Sequence, residues 1–398
     1  MATPSLLTVL LVLLLSVTLA RRFEISLARW AIPAIVLELG LGFLLGNTVL
    51  PFQTVAPLAG ITELGVLTLF FRVGLELRGD LLASRRVAIL RTVALSSLVP
   101  LVTLWPLQAW FGMEQSTALL CMAVLSATGT GVTLRVLAQQ RVLQDPSSRL
   151  LVGVSVLDDL PAIAYLSWAI ASGNATTARA LGQGNLVPGW LGLGVGVLLA
   201  TLLYQLVRFR VRRAGPQPVG PLGVMLLLVG MAWLGEATGI SSFMGALFGG
   251  VLLARLAPVD ESVSRLLAVF SEVFLPLYFV GVGLRVDAAT LLQPQAWTLA
   301  VVLLAMAVIS KLLCGLGVSA TDRSEGVDPW LVIFGLMPRG VPGLVFASRA
   351  LSVGLISPVQ FSALVLMVTL TTIGGLMLLS GRLQQRRRAG LLQLDSAV

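Results

Sequence analysis

Apolar runs close to the roughly 20 residues that a bilayer-crossing helix needs recur along nearly the whole chain, with short polar loops between them. In hydrocarbon every backbone amide and carbonyl must be paired, and an unbroken apolar run of this length pairs its own only as a helix. Thirteen runs are read, at 6–20, 30–50, 57–77, 87–111, 116–138, 150–170, 186–207, 220–235, 240–256, 263–284, 297–318, 330–350 and 358–380. Hydrophobic residues make up 57% and charged residues 11% of the 398 residues, and the mean hydropathy is +0.96, which excludes an ordinary soluble domain. The expected fold class is an all-α polytopic membrane protein with 13 transmembrane helices.

The formal net charge of +9 comes from arginines scattered over short loops, a pattern that orients helices in a membrane and lines no nucleic-acid groove. The first run has Arg21 and Arg22 directly after it and no basic residue before it, the reverse of a cleavable signal peptide. It is read as a retained span with the N-terminus outside. That choice gathers Arg78, Arg85, Arg86, Arg141, Arg149, Arg208, Arg210, Arg265, Arg323 and Arg386 on the inner, cytoplasmic side with the C-terminus, and leaves Arg179, Arg285 and Arg349 outside. Histidine is absent, and Cys121 and Cys314 lie within apolar runs, so no histidine switch, disulfide framework or metal knuckle is expected.

An internal repeat appears at an offset of 209 residues: the VGLEL run around Gly74 aligns with VGLRV around Gly283, and Thr130-Gly131-Val132 with Arg339-Gly340-Val341. The spans then divide into six, one linker helix and six, and the odd linker turns the second unit upside down relative to the first. Two inverted six-helix repeats are a transporter architecture.

The run at 150–170 carries two adjacent carboxylates, Asp158 and Asp159, and the run at 297–318 carries Lys311, the only lysine of the chain. An ionised side chain at mid-bilayer costs at least about 2.5–3.5 kcal/mol, so each needs a partner or a function. Consecutive helical residues point about 100° apart, so one aspartate can meet Lys311 while the other faces a cavity. Two further runs are expected to be interrupted helices, through Ser126-Ala127-Thr128-Gly129-Thr130-Gly131 and through Pro338-Arg339-Gly340-Val341-Pro342. At about 1.5 Å per residue from the inner surface, Asp159, Lys311, Thr128 and Arg339 all come out roughly 10–14 Å deep.

A carboxylate among hydroxyls and bare carbonyls is an oxygen site for a hard monovalent cation, and protons compete for the same oxygens. Ser126, Thr128, Thr130 and Ser155 are the supporting oxygens, and Pro161 leaves the Leu157 carbonyl available. The plainer alternatives are a structural ion pair between Asp158 and Lys311 and simple packing kinks at the two interruptions. Arg72 and Glu76, at i,i+4, read as a structural pair.

The segments SATGTGVTLRVL at 126–137, VSVLDDLPAI at 154–163, VISKLLCGLGVSA at 308–320 and MPRG at 337–340 resemble motifs of the monovalent cation:proton antiporter superfamily, in its bacterial sodium/proton antiporters. The resemblance implies two crossed discontinuous helices, a dimer or scaffold domain at 1–82 and 219–290, and a mobile core transport domain at 83–178 and 291–384. It also implies a linker helix at 179–218, a short basic cytoplasmic tail at 385–398, and a homodimer in the bacterial inner membrane. By resemblance Asp159 is the carboxylate that binds the monovalent cation and Asp158 the one that pairs with the membrane lysine, here Lys311. Arg339 compensates the dipoles of the broken helix or acts as a gate. Related antiporters often follow Pro-Arg-Gly with glutamate, whereas this chain has Val341 and Pro342, so Arg339 lacks that local acidic partner.

The implied function is exchange of cytoplasmic Na+ or Li+ for external protons, electrogenic as is typical where both aspartates and the lysine are present. No cofactor is expected. Two transport alternatives stand beside it, a K+/H+ antiporter and a sodium-coupled symporter of an organic anion on the same plan. An intramembrane aspartyl protease fits poorly, because its carboxylates share a water and come from different helices, while Asp158 and Asp159 are neighbours pointing apart.

Overall fold

The computed structural model describes residues 6–26, 34–76, 85–129, 132–133, 136–137, 140–172, 198, 202, 205, 219–237, 242–256 and 261–392. All regular structure among them is helical. In chain order the main helices are α1 (Leu6–Ser26), α2 (Ala34–Gly46), α3 (Ala59–Glu76), α4 (Arg86–Leu98), α5 (Leu104–Phe111), α6 (Gln115–Ser126) and α7 (Pro146–Ser172). They continue as α8 (Pro221–Ala237), α9 (Ser242–Leu256), α10 (Glu261–Leu284), α11 (Pro294–Cys314), α12 (Pro329–Leu336), α13 (Gly340–Ser352) and α14 (Pro358–Arg388). The expected linker run, 186–207, lies outside the described residues apart from positions 198, 202 and 205.

Five helical stretches among the described residues are long and apolar enough to cross a bilayer unaided: Leu6–Glu24, Arg86–Phe111, Glu261–Leu284, Pro294–Gly317 and Pro358–Arg388. Several other apolar runs of the sequence are helical only over shorter lengths. The run at 116–138 loses its helix at Ala127, and α12 and α13 are separated by the non-helical residues 337–339. The run at 87–111 is also not one regular helix, since a 3-10 stretch, Val99–Thr103, sits around Pro100.

Helix packing sorts into two sets. Within the first, α2 and α3 pack on α10, α3 and α8 pack on α9, and α1 packs on α2. Within the second, α7 packs on α4, α6 and α12, α6 on α13, α11 on α4 and α14, and α14 on α12 and α13. In lipid, association rests on close van der Waals contact, and small residues let backbones approach. Two crossings in the first set depend on this. A Cβ added at Gly74 would lie 2.1 Å from the Leu247 carbonyl oxygen, and one at Gly42 would lie 2.2 Å from that of Val280, so neither position accepts any larger residue. Facing them are Gly250 and Gly283, whose Cα atoms lie 3.0 Å from the same added Cβ positions. Adding the 209-residue offset to Gly74 gives Gly283, and adding it to Gly42 gives position 251, next to Gly250.

One end of the second set is closed by ion pairs outside the apolar segments. Asp328 caps α12 by accepting the Trp330 amide at 3.0 Å, and its other oxygen lies 2.6 Å from Arg382 Nε and 3.4 Å from an Arg386 nitrogen. Asp322 caps the short helix Ala320–Ser324 reciprocally with Ser319, and meets Arg91 at 2.8 Å. Burial works against ionisation of both carboxyls, but the hydrogen bonds and arginine charges outweigh it and hold both below the ordinary carboxylate range. Their stabilisation is thus fully present above the unfolded-state value of about 3.9 and is lost as pH falls through the lower native value. Asp328→Ala removes a cap and an ion pair together, worth about 1–3 kcal/mol. Thermal unfolding of the detergent-solubilised protein should show the midpoint lowered by several degrees at pH 7, with the gap to the parent narrowing in strong acid. A gap that does not change with pH would refute the ionic part of this account.

Candidate functional site

Four helices converge on one buried cluster. α7 starts where Asp145 accepts the Ser147 amide at 2.9 Å, and it continues unbroken through Pro161. It carries Asp158 to a fully buried position. α11 carries Lys311, equally buried, three residues before its end at Cys314. α6 ends at Ser126 because residue 127 turns to extended backbone, which places Thr128 beyond the helix end. α4 contributes Ser96.

The Lys311 ammonium has three acceptors: Asp158 Oδ2 at 2.7 Å, Ser96 Oγ at 2.5 Å and Thr128 Oγ1 at 3.1 Å. Three N–H donors meeting three oxygens leave it fully satisfied. The two hydroxyls in turn donate to Asp158 Oδ2, Ser96 at 2.9 Å and Thr128 at 2.5 Å. All three bonds to Asp158 thus fall on one oxygen, while Oδ1 is buried with no protein partner. A carboxylate and an ammonium without water cost several kcal/mol each in desolvation, and only this saturated geometry offsets it.

The two interrupted helices meet beside the cluster. The Gly129 amide donates to the Pro338 carbonyl at 2.6 Å and the Thr133 hydroxyl to the Gly335 carbonyl at 2.9 Å, so each break satisfies groups freed by the other. Gly340 has φ +41°, and a Cβ there would lie 2.6 Å from Gly129 Cα. Glycine is thus required at 340, and a Cβ at Gly129 would be tight, 3.0 Å from the Gly340 amide nitrogen. Arg339, fully buried, donates from Nη2 to the Ala307 carbonyl at 2.8 Å and to Ser310 Oγ at 3.1 Å. Its Nε and Nη1 have no protein partner. The local acid missing from the sequence is replaced by a main-chain oxygen one turn before Lys311 on the same helix.

Asp158, Lys311 and Thr128 are thus in mutual contact, and Arg339 adjoins them through α11. Ser126 is buried beside the break with its hydroxyl unpartnered, and Ser155 donates to its own helix at Val152, 3.1 Å away. Thr130 and the side chain of Asp159 lie outside the described residues; the Asp159 backbone belongs to α7. Thr128, expected among the cation oxygens, donates to Asp158 and accepts from Lys311. Ser96 is absent from the sequence reading, because a serine in an apolar run carries no signal of its own. Pro100, four residues on, was the available clue, since it denies the Ser96 carbonyl its helical donor.

Interrupted helices abutting at a buried, charged centre define a membrane transporter of the broken-helix kind, since irregular backbone at that depth survives only against protein or a cavity. Residues 7–379 match the family described as sodium/hydrogen exchanger, transmembrane, and the chain belongs to that family of cation/proton antiporters. It is 26% identical over 349 residues to a Na(+)/H(+) antiporter of Enterococcus hirae, covering 87% of this chain and 90% of that protein. It is 25% identical over 370 residues to the Na(+)/H(+)-K(+) antiporter GerN of Bacillus cereus, covering 90% of this chain and 92% of that protein. The structure of the sodium proton antiporter MjNhaP1 from Methanocaldococcus jannaschii superposes with a TM-score of 0.65 at 17% identity, over 98% of this chain and all of that one, which establishes a shared fold.

Substituting Gly340 by alanine forces a Cβ against Gly129 at positive φ, which costs about 1–3 kcal/mol. Gly340→Ala should lower the thermal midpoint of the solubilised protein by several degrees and reduce transport in parallel. An unchanged midpoint would show that the breaks do not touch.

Proposed function

We propose that the chain exchanges cytoplasmic Na+ or Li+ for external protons, two protons per cation, with cation and protons competing at Asp159 and Asp158 and Lys311 acting as the second proton carrier. The observation that carries this reading is the Lys311–Asp158 pair: a buried ammonium at 2.7 Å from a carboxylate whose other oxygen is unpartnered. Such a pair is held together by charge, so a mobile cation and the lysine's proton are natural competitors for it. Moving one net charge per cycle lets the membrane potential contribute about 2.3 kcal/mol per 100 mV.

A potassium reading has its own support, since GerN is named for K+ as well as Na+, and a potassium-efflux protein, KefC of Cronobacter sakazakii, is 29% identical over 233 residues. A screen of Na+, Li+ and K+ in proteoliposomes at several pH values under a clamped potential decides selectivity and coupling together. Asp159→Asn and Asp158→Asn should each reduce cation-driven proton movement to background in that assay. Full exchange by Asp159→Asn would overturn the assignment.

The two packing sets support a scaffold and a moving core, as alternating access requires. Across their seam, Arg285, just after α10, donates to the Ser348 carbonyl at 2.8 Å and to Ser352 Oγ at 2.7 Å on α13. Arg349 of α13 lies 3.7 Å from Glu236 of α8. These ties border a cavity of about 260 Å³ that Glu63, Tyr278 and Val345 also line, at the end of the seam assigned to the outside. Opening that side requires them to part. Arg285→Ala should therefore raise labelling of a cysteine placed at Val345 by an impermeant external thiol reagent several-fold, against a low background because Cys121 and Cys314 are buried. Labelling equal to that of the parent would remove the ties from the mechanism.

A further inference from the structure

The Lys311 ammonium occupies three oxygens drawn from three helices or their ends: Ser96 Oγ, Thr128 Oγ1 and Asp158 Oδ2. Two hydroxyls and a carboxylate oxygen around a monovalent positive centre are also a ligand set for an alkali or ammonium ion. The orientation of the hydroxyls strengthens the parallel. Each spends its proton on Asp158 and turns its lone pairs toward the ammonium, so a cation arriving in the lysine's place needs no rotation of either. We propose that Ser96 is a further ligand of the monovalent cation, completing with Thr128 and Asp158 a seat that the cation enters when Lys311 Nζ leaves it.

Ser96 is well placed for this role. It is fully buried on α4, whose Thr92, one turn earlier, packs so closely on Gly317 that a Cβ on that glycine would lie 2.6 Å from the Thr92 hydroxyl. α4 is therefore fixed against the turn that follows α11. One residue on, the Ser97 carbonyl is taken by Tyr165 of α7 at 2.8 Å, so α4 is also tied to the helix that bears Asp158. Pro100 leaves the Ser96 carbonyl without its helical donor, a second oxygen of the same residue freed from the helix. The unpartnered Asp158 Oδ1 adds a further acceptor next to the seat. Because the seat holds an ammonium group, ammonium and K+ belong in its test beside Na+ and Li+.

The inference rests on the exchange reading for its physiological meaning, but its test uses binding and not transport. In purified protein at pH 8, the thermal midpoint is followed against the chlorides of Na+, Li+, K+ and ammonium, with choline chloride holding ionic strength constant. Lys311→Met empties the seat, and the half-stabilising concentration of the preferred cation should fall about tenfold. Adding Ser96→Ala to Lys311→Met should raise it again by about tenfold, whereas Ser96→Thr, which keeps the hydroxyl, should not. Equal half-stabilising concentrations with and without Ser96→Ala would overturn the proposal. Should Lys311→Met fail to fold, Ser96→Ala and the near-isosteric Ser96→Cys in the otherwise native chain must both raise the half-saturating cation concentration several-fold at fixed pH. A Cys variant matching the parent would reduce Ser96 to a packing residue and overturn the proposal as well. Wild-type protein that binds cations in this way but moves no protons would instead refute the exchange reading and leave the seat standing.

Discussion

An ammonium and a carboxylate 2.7 Å apart, both fully buried, set the terms for everything around them. Neither charge is tolerable alone at that depth, and removing one partner of such a pair typically costs about 3–5 kcal/mol. The pair is tolerable because hydroxyls from two other segments complete it. That requirement explains why α4, α6, α7 and α11 must converge at one point, and why the end of α6 has to stop short of a continuous helix. A helix running through Thr128 would carry its hydroxyl along the regular helical face, whereas an extended residue at Ala127, with ψ 140°, redirects it.

The interruptions would themselves be unaffordable if each stood alone, since freed amides and carbonyls have no water to turn to. They are placed so that one repairs the other. The bonds from Gly129 to Pro338 and from Thr133 to Gly335 link the two breaks directly, and Gly129 and Gly340 supply the room. Arg339 then ties the second break to α11 at Ala307, four residues before Lys311. The backbone irregularity and the buried charge are thus one structure: the first break bonds the lysine directly through Thr128, and the second reaches its helix one turn away through Arg339.

Much of this was legible in the sequence, for identifiable reasons. The chain's one lysine and two adjacent carboxylates in apolar runs made a buried pair expected from cost, and the family resemblance singled out Asp158 as the partner of Lys311. The two glycine and proline clusters marked the breaks through backbone chemistry, and that the broken helices cross was implied by the family resemblance alone. Other parts were not legible. Helix lengths inside the apolar runs depend on breaks such as the 3-10 stretch at Val99–Thr103, which hydropathy does not register. The role of Ser96 depends on tertiary geometry, because serine in an apolar run is usually bonded to its own helix, as Ser97 is to Val93 at 2.7 Å. The Ala307 carbonyl that receives Arg339 leaves no mark in the sequence at all, since every residue has one.

Charge balance connects these details to exchange. Lys311, Arg339 and Asp158 are buried at the centre, and Asp158 interacts electrostatically with Arg339 as well as with the lysine. In the exchange proposed above, a further cation entering this water-poor region brings a charge whose burial costs several kcal/mol, and release of the lysine's proton would offset it. Arg339 cannot provide that relief, because a guanidinium is not a practical proton donor. In the proposed cycle the lysine provides it, and its withdrawal would vacate the three oxygens it holds. Coupling of cation entry to proton exit would then need no signal across the protein, because both would act on one buried cluster.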